Sequence, residues 1–125
     1  MQVDKWGPSG WTFLHTISFN YPDNPTNDDK KKYRTFFENV GEILPCKYCR
    51  ISYKKFITEL PIDQFLDSRK QLTKWLYRIH NKVNNKLRKQ GLLNTKNPKY
   101  SDICEKYDMM RAKCSDISGT CRKRK

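Results

Sequence analysis

Apolar residues along this chain recur at three- and four-residue intervals, the spacing that builds one face of an α-helix. Trp11, Leu14, His15, Ser18 and Phe19 fall at i, i+3, i+4, i+7 and i+8, behind Gly7-Pro8-Ser9-Gly10, where Ser9 is suited to cap the helix start. Tyr21–Asn27 carries two prolines and reads as a loop. A second helix opens at Asp28 or Asp29 and presents Tyr33, Phe36, Phe37 and Val40. Pro45 halts what precedes it, because the residue before a proline is steered away from helical angles. A third helix begins at Cys46 and runs through Tyr53 and Phe56 to the neighbourhood of Leu60, followed by a loop at Pro61–Asp67. The longest periodic segment spans Ser68 to Gln90, with Leu72, Trp75, Leu76, Ile79, Val83 and Leu87 as its stripe and Gly91 as its stop. Asn97-Pro98 then precedes a short helix over Ser101–Lys113, and Cys114–Lys125 reads as an irregular basic tail. No alternating apolar strand and no internal repeat is visible. The predicted fold is all-α, a four-helix bundle with a fifth short helix over residues 1–113, plus the tail 114–125.

Composition sharpens this only slightly. With 36% hydrophobic and 31% charged residues, the 125-residue chain can bury one modest core, of the kind often supplemented by a disulfide, a cofactor or a partner subunit. No apolar run approaches the roughly 18 residues needed to span a bilayer. Met1–Lys5 lacks the profile of a secretory signal, so neither membrane insertion nor ordinary secretion is expected. The net charge of +13 favours acidic partners or phosphates. Its scatter over Lys30–Lys32, Lys82–Lys89 and Arg122–Lys125, without an arginine-aromatic RNA-binding motif, argues against a specific nucleic-acid reader.

Cysteine changes the picture more. Five cysteines, Cys46, Cys49, Cys104, Cys114 and Cys121, are many for a chain without a visible export signal, and point to metal or redox chemistry. In Leu44-Pro45-Cys46-Lys47-Tyr48-Cys49-Arg50 the two-residue spacing is open to zinc, to a structural disulfide and to a redox pair. Zinc needs two further ligands; His80 is one candidate, and no second C-x-x-C or H-x-x-H joins it. At the start of a helix, Cys46 sits where free N–H groups favour a thiolate, with Lys47 and Arg50 adding positive charge.

Two other stretches carry chemistry. Trp6-Gly7-Pro8-Ser9-Gly10-Trp11 and His15 read as core aromatics or as a seat for a flat aromatic ligand, since tryptophan faces stack on rings and glycine permits close approach. His80 and Asn84 share one helical face with Asn81 beside them, in a segment where asparagines weaken the helix and call for compensation.

The ordered set W-G-x-x-x-W-x-x-L-H at Trp6–His15, C-x-x-C at Cys46–Cys49 and H-N-x-V-N-x-x-L at His80–Leu87 resembles the Erv/ALR family of FAD-dependent sulfhydryl oxidases, over residues 6–112. The minimal length and W-G-P opening look most similar to members encoded by large DNA viruses. The resemblance implies a helical bundle, a homodimer, and FAD lined by Trp11, His15, His80, Asn81, Val83, Asn84 and Leu87, with Gly7 and Ser9 nearby and Lys86 and Lys89 toward the pyrophosphate. It implies oxidation of protein dithiols, with electrons passing to molecular oxygen and hydrogen peroxide as product. By the same resemblance Cys46 exchanges with substrate and Cys49 faces the flavin; no metal is implied, and the setting would be host cytoplasm or virion.

The chain departs from that pattern in two places. Pro8 stands where cellular members carry arginine, and Tyr77 stands where they carry a cysteine, which leaves Cys104 without its implied partner. Cys104 and Cys114 on one continuous helix would lie about 15 Å apart, too far to bond. Cys114 and Cys121 can pair across a flexible segment, as a staple or as a shuttle toward Cys46. The competing expectation is a non-enzymatic module, either a zinc-stabilised helical domain or a basic nucleic-acid binder.

Overall fold

Helix α4 (Arg69–Lys89) packs against the first and third helices and the 3-10 turn. Its boundaries follow from local chemistry. Ser68 caps it by accepting the Gln71 N–H at 3.1 Å. At the far end Gly91, at φ 72°, closes a Schellman turn in which the Leu92 N–H meets the Leu87 carbonyl at 2.8 Å and the Gly91 N–H meets Arg88 at 3.0 Å. Leu72, Trp75, Leu76 and Ile79 are buried along its inner face, each removing from water area worth about 2 kcal/mol. The indole N–H of Trp75 is satisfied by the Leu60 carbonyl at 2.8 Å.

The computed structural model describes residues 1–115 and 120–123, with side chains for residues 1–111. In chain order the other elements are α1 (Val3–Phe19), α2 (Asn27–Ile43), α3 (Lys47–Glu59), a 3-10 turn (Ile62–Phe65), α5 (Tyr100–Asp108), β1 (Ala112–Ser115) and β2 (Thr120–Lys123). The helical bundle matches the predicted fold class. α1 packs on α4 and α5, α2 on α3, and α3 together with the 3-10 turn on α4.

α2 starts at a capping box, in which Thr26 accepts the Asp29 N–H and Asp29 accepts the Thr26 N–H. It approaches α3 so closely at Gly41 that a Cβ there would stand 3.0 Å from the Tyr53 ring. Tyr53 donates its hydroxyl to the Phe37 carbonyl at 2.6 Å, a buried tie between the two helices. Tyr21, from the proline loop, is fully buried and donates to Leu66 at 2.6 Å. Phe36, expected in the apolar stripe, is instead 37% exposed.

Three boundaries differ from expectation. α1 begins at Val3 with Gln2 as its cap residue, so Gly7-Pro8-Ser9-Gly10 lies inside the helix and Ser9 is not its cap. Proline in this second turn removes the N–H that would bond the carbonyl of solvent-exposed Asp4 and crowds that same carbonyl with its ring. α5 spans Tyr100–Asp108 rather than continuing to Lys113, so Cys104 and Cys114 do not share a helix. The tail, read as irregular, contains an antiparallel pair of four-residue strands in which Cys114 stands opposite Cys121. Strands that short leave no periodic signature.

Candidate active site

Cys46 and Cys49 form the first chemical centre. Pro45 breaks the chain out of α2, and Cys46 then occupies the cap position of α3, its backbone extended. Its Sγ accepts the Cys49 N–H at 3.3 Å. Both sulfurs are free thiols and half-buried. They are electrostatically unequal. The Cys46 thiol is held below the usual thiol range by the hydrogen bond with the Cys49 side chain and by the N–H groups of the helix start. Burial, and next the Cys46 sulfur, push Cys49 up to about 11, while Lys86 and Arg50 pull against that rise. Around them Tyr48 is 70% exposed, with the Lys47 ammonium 5.9 Å from its ring centre. Arg50 is turned back onto the Leu44 carbonyl.

The second centre joins three helices. Trp11 of α1 stacks flat on His80 of α4, with centroids 3.8 Å apart and planes 7° from parallel. His15, one turn beyond Trp11, meets the His80 Nδ1 through its Nε2 at 3.0 Å, and Tyr107 of α5 closes the cluster 5.1 Å from the His15 ring. Burial, helped by His80 and Lys106, drives His15 down to about 3; burial and then Lys106 bring His80 to about 4. Both rings are therefore neutral at physiological pH, so one donates and the other accepts. The Nδ1 of His15 is buried with no hydrogen-bond partner, and so is the indole nitrogen of Trp6.

The polar run on α4 connects the two centres. Lys86 donates to Ser52 of α3 at 2.5 Å, and the Lys82 ammonium lies 5.8 Å from the Phe56 ring centre. α3 and α4 therefore run antiparallel here, with the cysteine end of α3 beside the C-terminal turns of α4. Lys86 lies about 9 Å along α4 from His80 by helical rise. Asn84 and Asn97 share a hydrogen bond at 3.4 Å, and Arg88 ties Asn97, Asn85 and the Thr95 carbonyl together. Asn81, Val83 and Leu87 are half-buried on the same helix, whereas Lys89 is exposed in its last turn.

Among the expected residues, the fold brings Trp11, His15 and His80 into contact and aligns Lys86 with the cysteine helix. Gly7 is buried in α1, while Ser9 faces outward beside Pro8, Thr12 and Phe13. Ser52, Tyr107 and Asn97 were not anticipated. Ser52 sits three residues after Cys49 on one helical face, a signal visible in the sequence; Tyr107 had none. Tyr77 and Tyr100 meet edge to face at 5.5 Å and Tyr100 shares a 2.8 Å hydrogen bond with Thr73. This join links α4 to α5 where a disulfide was implied, and Cys104 is a free thiol. Among the described residues no group of three His, Cys, Asp or Glu side chains could hold a metal ion, and no helix is long and apolar enough to cross a membrane.

A family model described as Erv1 / Alr family matches residues 8–106. A probable FAD-linked sulfhydryl oxidase of Acanthamoeba polyphaga mimivirus is 46% identical over 85 residues, 67% of this chain and 59% of the relative. The mitochondrial FAD-linked sulfhydryl oxidase of Saccharomyces cerevisiae is 38% identical over 87 residues, covering 70% and 45% of the two chains. The chain thus spans about half the length of the curated relatives it matches. The crystal structure of the FAD binding domain of Erv1 from Saccharomyces cerevisiae superposes with a TM-score of 0.76 at 31% identity, covering 86% of this chain and 94% of that one.

Proposed function

The chain belongs to the Erv1 / Alr family, and from that membership and its paired thiols we propose that it is an FAD-dependent thiol oxidase forming disulfides in protein substrates. The observation that carries the reading is the thiol pair at the start of α3, where Cys46 caps the helix and its Sγ accepts the Cys49 N–H at 3.3 Å, an arrangement that holds the Cys46 thiol below the usual range while burial raises Cys49. With Cys46 and Cys49 joined as a disulfide, a substrate thiolate attacks the Cys46 sulfur and Cys49 leaves as thiolate. A second substrate thiolate then attacks the mixed disulfide and releases Cys46, so the substrate loses two electrons and two protons and the pair becomes the dithiol seen here.

Side chains of the second centre suit a flavin. Trp11 and His80 offer flat faces, and His15 Nδ1 is a buried polar atom with bonding capacity to spare. A methyl at Gly7 would meet only Val3, at an ordinary 3.5 Å, so the fold itself does not require glycine there and close approach of a ligand supplies a reason. Asn81, Val83, Asn84 and Leu87 would line the group, with Ser9 on the outer face of α1 at its edge and Lys86 and Lys89 toward its phosphates. Held there, FAD would supply the two-electron redox chemistry that links the Cys46–Cys49 dithiol to dioxygen, with hydrogen peroxide as the product.

Residues 1–113 form the oxidase domain in this reading. Phe13, 62% exposed on α1, and Phe36 on α2 supply apolar area that a second copy would cover in a homodimer. The register of the hairpin supports a Cys114–Cys121 disulfide, whose sulfurs lie outside the described side chains. Likeness to viral relatives supports action in host cytoplasm or virion. The test is a visible spectrum of the purified protein together with oxygen uptake driven by dithiothreitol. A yellow protein whose uptake disappears in Cys49→Ser is expected; a colourless protein that consumes no oxygen overturns the proposal.

A further inference from the structure

Opening the Cys46–Cys49 disulfide requires Cys49 to depart carrying negative charge, and a thiolate leaves faster the more its charge is stabilised. Its surroundings do little of that. Cys49 is partly buried, and burial is the main influence opposing its ionised form. The Cys46 sulfur, which opposes Cys49 ionisation in the dithiol, is bonded to substrate at this stage. The charged and titratable groups acting on Cys49 are then Arg50 of its own helix and Lys86 of α4. The guanidinium of Arg50 is committed to the Leu44 carbonyl, on the link between α2 and α3. Lys86 is differently held. Its ammonium donates to the Ser52 hydroxyl at 2.5 Å, and Ser52 is one turn beyond Cys49 on the same face of α3. A long flexible cation is thereby tethered toward the inner sulfur.

We propose that Lys86, positioned by Ser52, stabilises the thiolate that Cys49 carries after substrate opens the disulfide. No electron passes through Lys86 and no bond to it forms. Its charge lowers the energy of the leaving sulfur, and Ser52 is a positioning residue. The inference rests on the thiol-oxidase reading and gives Lys86 a task apart from any phosphate contact.

The experiment reads Cys49 itself. In the 125-residue chain carrying Cys46→Ser, the rate of iodoacetamide alkylation at Cys49 is followed against pH by peptide mass spectrometry. Lys86→Gln is expected to move the midpoint upward by about one pH unit, about tenfold slower alkylation on the acidic limb. Lys86→Arg keeps the charge and stays near the original midpoint, and Ser52→Ala shifts it upward by less than Lys86→Gln. An unchanged midpoint in Lys86→Gln, or an Arg variant shifted as far as Gln, overturns the role of the charge. An unchanged midpoint in Ser52→Ala overturns the tether, and this small substitution decides the matter if Lys86→Gln does not fold. Failure of the oxidase reading would appear elsewhere, as absent dithiothreitol-driven oxygen uptake by the unsubstituted chain.

Discussion

Cys46 caps the helix that carries Cys49, its Sγ accepting the Cys49 amide at 3.3 Å. This contact sets Cys46 at the helix start, one turn before Cys49, and the two thiols differ in acidity. The Cys46 thiol lies below the ordinary range, while Cys49 is pushed up to about 11 by burial and then by its neighbour. At pH 8 a group titrating there is about one part in a thousand ionised. Limited treatment of the reduced protein with iodoacetamide is therefore expected to label Cys46 more than tenfold faster than Cys49. Equal labelling by peptide mass spectrometry would contradict the division of roles.

The histidine pair makes stability depend on acid. His15 is brought down to about 3 and His80 to about 4, by burial foremost in each case. An unfolded chain, with both histidines near 6.5, binds more protons than the folded one throughout that interval. Stability is thus complete above about pH 6.5 and falls as pH drops toward 4. The thermal midpoint should decline through this window faster than in a His15→Phe, His80→Phe variant. Parallel declines in the two proteins would remove the histidines as the cause.

Much of this arrangement is local and could be read from the chain. Ser68, the stripe from Leu72 to Ile79 and Gly91 each specify α4 with neighbouring residues alone. The thiols and His80 stood out for the same reason, as residue types at a telling spacing. The start of α1 did not, because Gly-Pro-Ser-Gly resembles punctuation, whereas the cost of Pro8 falls on one exposed carbonyl. Tyr107 and Asn97 owe their roles to α5 and the preceding loop folding back on α1 and α4. Phe36 shows the converse, an apolar residue in the right period that the bundle leaves outside.

Trp11→Ala removes one face of the flat Trp11–His80 stack, together with a half-buried ring that packs against the edge of the core around Trp75. An aromatic stack adds about 0.5–1.5 kcal/mol beyond the area it buries. Together with that lost area, flavin affinity should fall by about ten- to a hundredfold. The check is the visible-to-ultraviolet absorbance ratio after gel filtration, expected to drop severalfold while far-ultraviolet helicity is kept. Retention of full flavin content would move the ligand away from this face.

Gly41→Ala sets two effects against each other at the junction that aims the cysteines. By backbone propensity alone, alanine is favoured over glycine in a helix by about 1 kcal/mol. At this position its methyl would stand 3.0 Å from the Tyr53 ring and 3.1 Å from the Lys54 side chain. Lys54 is exposed and can move aside, but Tyr53 is buried and anchored through its hydroxyl to Phe37. Separating α2 from α3 therefore strains a buried contact, at about 1–3 kcal/mol. Net destabilisation of about 1 kcal/mol is expected in urea unfolding, with oxidase turnover reduced because the α2–α3 link at Leu44–Pro45 sets the direction of Cys46. Gly41→Ala combined with Tyr53→Leu should recover part of the loss. A single variant more stable than the parent would mean that the helices separate freely and that their close approach does not orient the thiols.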